Sequence, residues 1–275
     1  MGHDHEGQRV SRRRLISGVS SLTLGGLLAS PSARAAGTTP PPPTDLKTLL
    51  AKAGRCSLTS ATTQGPFYFD ADKIRSDIRE DKQGARLRLA IKVQDSEGCR
   101  PLRDAVVEIW HCDAQGLYSG AEAESKSDAT GPPTRSASNA SAATPVLFVD
   151  IDKSDMADLK PTDDTRYLRG AQVTDGDGVV QFTTIWPGWY PGRTVHIHAM
   201  VHSGDQRVLG TQLMFDEALN AEVLAKPPYA GHKGRKVYNR DDGIFHDSML
   251  VRVARDGDGY LGAIVLSADS DKDGG

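Results

Sequence analysis

His196 and His198 stand two apart in "TVHIHAMVH", a run that reads as a β-strand. Successive strand side chains alternate faces, so both imidazoles leave the same face roughly 6.6 Å apart along the chain and can converge on one ion. Eight His in 275 residues give about 0.2 such pairs by chance, so the spacing needs partners before it means a metal. His202 falls on the same face, but beside Ser203 and Gly204 it reads as a solvated histidine at the strand end. No Asp or Glu within the strand completes a two-histidine, one-carboxylate iron site. Tyrosines are what the neighbourhood offers: Tyr190 in "GWYPGR" and Tyr118 just past "VVEIWH". A phenol with a pKa near 10 binds as phenolate at neutral pH only to a strongly Lewis-acidic ion. Ferric iron is such an ion, whereas zinc and calcium rarely recruit tyrosine.

Short strands are what would have to position these groups. "RLRLAIKVQ" alternates, with Leu87, Leu89, Ile91 and Val93 on one face, and "AVVEIWH" follows through the turn "DSEGCRP". Further strands are expected at "VVQFTTI", "TVHIHAMVH", "LGTQLMF", "MLVRVAR" and "YLGAIVLS", and one short helix at "LKTLLAKAG". Many short strands with little helix predict an all-β antiparallel sandwich with long loops. "TDGDG" at 174–178 and "RDGDG" at 255–259 lack the closing Glu of a calcium loop and read as hairpin turns. Residues 119–166 break the rhythm with a long Ser/Ala/Thr-rich insertion.

The first 35 residues read as a cleaved twin-arginine-type export signal: Arg12 and Arg13 precede a mildly apolar stretch that ends in "ARA". The apolar part is shorter than the about twenty residues that span a bilayer, so no stable membrane anchor is expected and the protein is placed in the periplasm or medium. Residues 36–45 form a Pro-rich linker, and 46–270 a single domain. Removing the signal takes away five Arg and two acids and moves the net charge from -3 to -6. Nothing in that balance points to nucleic acid.

Five segments occur in the order found in intradiol ring-cleavage dioxygenases, a ferric family that includes catechol 1,2-dioxygenase and protocatechuate 3,4-dioxygenase. They are "TQGPFY" at 63–68, "EIWHCDAQGLYSG" at 108–120, "YLRGAQVTDGDG" at 167–178, "GWYPGRTVHIH" at 188–198 and "GTQLMFD" at 210–216. The chain resembles that family over most of residues 56–266. The resemblance implies a β-sandwich catalytic domain holding Fe(3+) through Tyr118, Tyr190, His196 and His198. It implies that Tyr190 is displaced by the substrate, that Arg193 stabilises charge developing on the ring, and that Gln212 bonds the oxygen left behind. Phe67 and Tyr68 fall where relatives line the substrate pocket. The implied reaction splits a catechol-type ring between its hydroxylated carbons with O2, giving a cis,cis-muconate-type product, and a homo-oligomer stays open.

Trp110 and Trp189 read as walls or core, His111 as a hydrogen-bonded structural residue, and Tyr167 is left out of the ligand set. From their contexts, Cys56 and Cys99 are expected to pair, leaving Cys112 as a buried thiol. The competing reading is a secreted β-sandwich module that binds phenolic or carbohydrate ligands without turnover.

Overall fold

The computed structural model describes residues 45–54, 56–126 and 158–271. The expected signal, almost all of the linker and the middle of the 119–166 insertion lie outside them. Helix α1 (Leu46–Ala53) precedes strands β1 (Arg86–Asp95) and β2 (Val106–Trp110). A one-turn helix α2 (Glu122–Ser125) opens the insertion. Strands β3 (Arg169–Val173), β4 (Val179–Ile185), β5 (His196–Ser203) and β6 (Gln206–Met214) follow. Helix α3 (Glu217–Leu224) and three 3-10 turns then lead to β7 (Arg252–Asp256) and β8 (Gly259–Ala268).

The strands form two four-stranded sheets, β4-β1-β8-β7 and β3-β2-β5-β6. Period-two patterning buries one face of each in a shared core: Leu87, Leu89, Ile91 and Val93 of β1 meet Val107, Ile109, Ile197, Ala199 and Val201 of the other sheet. On β5 the alternate residues His196, His198, Met200 and His202 therefore leave the opposite face. Segment 73–78 closes one side of the sandwich by pairing with both edges: Arg75 N donates to Ala171 O (3.1 Å) and Thr183 N to Ser76 O (2.8 Å).

Several local expectations change. The β1–β8 pairing is parallel, within an otherwise antiparallel set of pairs. "RGAQV" forms an edge strand, β3, whose Arg and Gln hid it from a hydrophobicity pattern. In "MLVRVAR" the strand begins only at Arg252, because Asp247–Met249 is a 3-10 turn. "RDGDG" does join a hairpin, β7–β8. "TDGDG" instead arches from β3 in one sheet to β4 in the other, held by Asp175 Oδ1 accepting from Asp177 N and Val179 N, each at 2.9 Å.

Candidate active site

The outer face of the β3-β2-β5-β6 sheet carries a row of chemistry. Arg169, Trp110, His198 and Gln212 are direct cross-strand neighbours. The His198 ring stacks on Trp110 with centroids 4.9 Å apart and planes 5° from parallel, which fixes its azimuth. Gly65 of "TQGPFY" lies over the same imidazole at φ +74°, and a Cβ there would sit 3.1 Å from His198 Cε1, so the chain crosses that close only as glycine. His196 is oriented from below. Its Nδ1 stands 2.7 Å from Thr194 O, and because a carbonyl only accepts, that nitrogen carries the hydrogen and Nε2 keeps its lone pair. The two Nε2 atoms are 3.1 Å apart. Burial, followed by neighbouring positive charge, holds both imidazoles well below the usual histidine range, so both are neutral donors.

Two loops deliver the phenols. Past β2 the chain turns on Asp113, whose Oδ1 accepts from Gln115 N (2.9 Å) and Leu117 N (3.0 Å), and Tyr118 follows. The "GWYPGR" loop runs back to back with this turn: Gly188 N donates to Asp113 O at 3.1 Å. Side chains are excluded from the seam, since a Cβ on Gly116 would strike the Trp189 carbonyl and one on Gly188 the Asp113 carbonyl. The Tyr118 and Tyr190 rings meet edge to face at 5.5 Å. Phe67 stacks on Tyr118 at 4.6 Å and stands edge-on to Tyr190 at 5.5 Å. Tyr190 lies 5.5 Å from the His196 ring. Burial pushes both phenols up, Tyr118 well above the ordinary tyrosine range, while Arg193 pulls Tyr190 partly back. Neither ionises unless a strong cation arrives.

Arg193 completes the group. Its Nε donates to Asp242 Oδ2 (2.9 Å), Nη1 to Tyr190 Oη (3.5 Å) and Nη2 to Gln212 Oε1. The ion pair is sealed, with side chains 3% and 0% exposed. A cleft of about 280 Å³ lined by Trp189, Tyr190, Arg193 and His232 adjoins these groups.

The arrangement suits a metal held by tyrosine and histidine. Among the described residues no three His, Cys, Asp or Glu converge, so a metal here needs phenols. Tyr118 Oη is buried without a hydrogen-bond partner, an unusual state for a native hydroxyl. Two nitrogens bound at about 2.1 Å to one ion, roughly at right angles, stand about 3 Å apart, which matches the imidazole spacing. The donor set therefore fits a hard, Lewis-acidic ion.

An intradiol ring-cleavage dioxygenase from Tetranychus urticae shares 30% identity, covering 78% of this chain and 96% of that one, with a TM-score of 0.64. The chain belongs to the intradiol ring-cleavage dioxygenase family. A family model described as "Dioxygenase" matches residues 63–132, which include Gly65, Phe67 and Tyr118. A chlorocatechol 1,2-dioxygenase from Rhodococcus opacus is 24% identical over 59% of this chain. A hydroxyquinol 1,2-dioxygenase from Corynebacterium glutamicum is 38% identical over 22% of it. The matches span 58% and 21% of these two curated relatives. The dioxygenase domain of a carbohydrate-binding fusion from Streptomyces sp. SirexAA-E, at 23% identity and a TM-score of 0.50, shares the fold.

In this intradiol dioxygenase Tyr118, Tyr190, His196, His198, Arg193, Gln212 and Phe67 gather at one place. Tyr68 stands one step back: its ring tilts over Trp110 at 4.8 Å and its hydroxyl donates to Glu108 at 3.1 Å. His111 is satisfied in the interior, Nδ1 2.8 Å from Cys112 O and Nε2 2.7 Å from Thr184 Oγ1, with burial bringing its pKa down to about 4. His202 is not solvated as its position at the strand end implied. It is buried, 3.6 Å from Glu108 Oε2. Tyr167 bonds Glu122. Cys56 and Cys99 form a disulfide with Cα atoms 5.4 Å apart, and Cys112 is free and buried.

Two buried charges escaped the sequence reading. Arg169 donates to Ser119 Oγ (2.9 Å), Ser119 O (2.9 Å) and Phe67 O (2.8 Å), gripping the chain beside Tyr118 and at Phe67. Burial brings it down to about 9, so it remains a cation at neutral pH. Asp242 lies in "NRDDGIF", which reads as a polar turn and gives no local signal of burial.

Proposed function

We propose that the protein is a non-haem Fe(3+) dioxygenase that opens a catechol-type ring between its two hydroxylated carbons, placing both atoms of O2 in a cis,cis-muconate-type product. The observation that carries this reading is the convergence of two imidazole Nε2 atoms, 3.1 Å apart, with two buried phenols in mutual contact, one of them without a hydrogen-bond partner. Tyr118, Tyr190, His196 and His198 would hold the iron. Bound there, it supplies the Lewis acidity that makes the phenols and the catechol anionic and primes the ring for O2.

The other residues then have definite work. Tyr190 would accept one of the catechol's protons at Oη, and Arg193 Nη1 is already in reach of that oxygen. The planar, permanently charged guanidinium stabilises negative charge developing on the ring, at a buried place where such a charge is strongly felt. Gln212, bonded to the same guanidinium through Oε1, has an amide Nε2 without a partner that would donate to the oxygen left behind on the substrate. Phe67 and Trp110 keep water from the phenols and imidazoles. Residues 1–35 would direct export, so the reaction would take place outside the cytoplasm.

Purified protein loaded with iron is expected to show a tyrosinate-to-ferric charge-transfer band in the visible that shifts on adding catechol, and to consume one O2 per ring opened. Tyr118→Phe should weaken and move the band and lower kcat by about 10³-fold, at the upper end of what one lost charge-stabilising group costs. Protein that stays colourless and inactive after iron loading, yet binds phenols, would establish the binding-module reading instead.

A further inference from the structure

We infer that Asp242 is a positioning residue for ring cleavage, acting through Arg193. The inference rests on the dioxygenase reading above. Asp242 makes no hydrogen bond to the phenols or imidazoles, yet its carboxylate is wholly enclosed. Both bonds to its Oδ2 come from the chain just before the histidines, and Oδ1 is held by its own turn. Oδ2 accepts from Arg193 Nε and from Thr194 N, both at 2.9 Å, and Oδ1 accepts from Ile244 N at 2.9 Å.

A guanidinium presents its donors in one rigid plane, so fixing Nε fixes where the other two nitrogens point. With Nε held by Asp242, Nη1 faces Tyr190 Oη and Nη2 faces Gln212 Oε1. Among the described residues no other carboxylate pairs with Arg193. Without Asp242 the buried cation would keep its charge and lose its anion, and its easiest relief would be to swing toward the phenolate it should share with substrate.

The carboxylate is itself anchored. The 3-10 turn Asn239–Asp241 brings Asp242 N to Tyr238 O at 3.1 Å. Asn239 Nδ2 donates to Phe215 O and Asn239 Oδ1 accepts from Thr194 Oγ1, each at 2.8 Å. The turn is thereby tied to the end of β6 and to the residue that orients His196, so it has the rigidity a positioning group needs.

The test is a double-mutant cycle on the iron-loaded enzyme, reading kcat, KM, iron content and the visible band for wild type, Asp242→Asn, Arg193→Gln and the pair. Asn keeps an oxygen for Thr194 N and removes the charge. Asp242→Asn is expected to lower kcat by about 10²-fold, the scale of a 1 Å misplacement of a catalytic group, with KM within threefold and iron and band retained. In the Arg193→Gln background the same change should cost less than about threefold, because the partner it acts through is gone. Asp242→Ala is run in both backgrounds as a second probe. Additive losses, an unchanged kcat, loss of iron together with the band, or failure of both Asp242 variants to fold would each overturn the inference. A wild type that binds iron but turns over no catechol would overturn the dioxygenase reading itself, and this inference with it.

Discussion

The two sheets share one core and part company on their outer faces. On the β4-β1-β8-β7 sheet the outer face holds a small apolar patch, Ala90, Leu261 and Ala263, which Leu46 and Leu49 of α1 cover. On the β3-β2-β5-β6 sheet the corresponding surface carries Arg169, Trp110, His198 and Gln212, and loops cover it in place of a helix. Helix on alanine buries apolar surface and brings no titratable or metal-ligating side chain to the contact. The loop-covered face keeps Tyr118 Oη and Gln212 Nε2 buried without partners, a cost in stability that a bound group would offset. One face holds the fold together and the other spends some of that stability on reactivity.

Three measurements sharpen or break that contrast. The largest effect belongs to His111, which ties one sheet to the other through Thr184. Its pKa falls from 6.5 to about 4 on folding, so the unfolded chain binds the proton first. Stability is full above about pH 6.5 and declines as pH drops toward 4, by about 3 kcal/mol. Urea midpoints from pH 7 to 4.5 should show a slope to which the buried His196 and His198 also contribute, made shallower in His111→Gln; parallel curves would remove His111 as one of its sources. Next comes Gly116→Ala, which drives the two tyrosine loops apart at their seam. Chelator competition should show iron affinity down by about 10²-fold, the scale of losing a group that orients a ligand, and equal affinities would mean the seam does not set the phenols. Smallest is Leu49→Ala under the apolar face, expected to cost about 2 kcal/mol in denaturation with kcat unchanged. A fall in kcat there would erase the distinction between the faces.

Alternation in "RLRLAIKVQ" and "TVHIHAMVH" was enough to predict the sandwich and to put His196 and His198 on one side. The ordered motifs then brought Tyr118 and Tyr190 to them across 78 and 6 residues of sequence. What local pattern cannot carry is pairing between distant segments. The parallel contact of β1 with β8 joins Leu87 to Tyr260, and no periodicity marks that register. β3 was invisible because "RGAQV" buries an arginine under the loops of the outer face, where a hydrophobic residue would have signalled a strand. His202 misled for a similar reason: Ser203 and Gly204 announced an end, while the fold buries it beside Glu108, 94 residues earlier. Asp242 reaches Arg193 across 49 residues from a stretch whose composition says only "turn".

The 119–166 insertion leaves and rejoins the domain at nearly one point. Thr162 N donates to Gly120 O, and Gly120 N donates to Thr165 Oγ1, each at 2.9 Å. Those bonds clip the two described ends of the insertion together immediately after Tyr118, forming a closed neck. Because closing a longer loop costs only about 0.6 kcal/mol per doubling, this neck is a natural port for grafting. A peptide tag, a second domain or a redesigned lid could be spliced there within sight of the reaction centre while the tyrosine keeps its place.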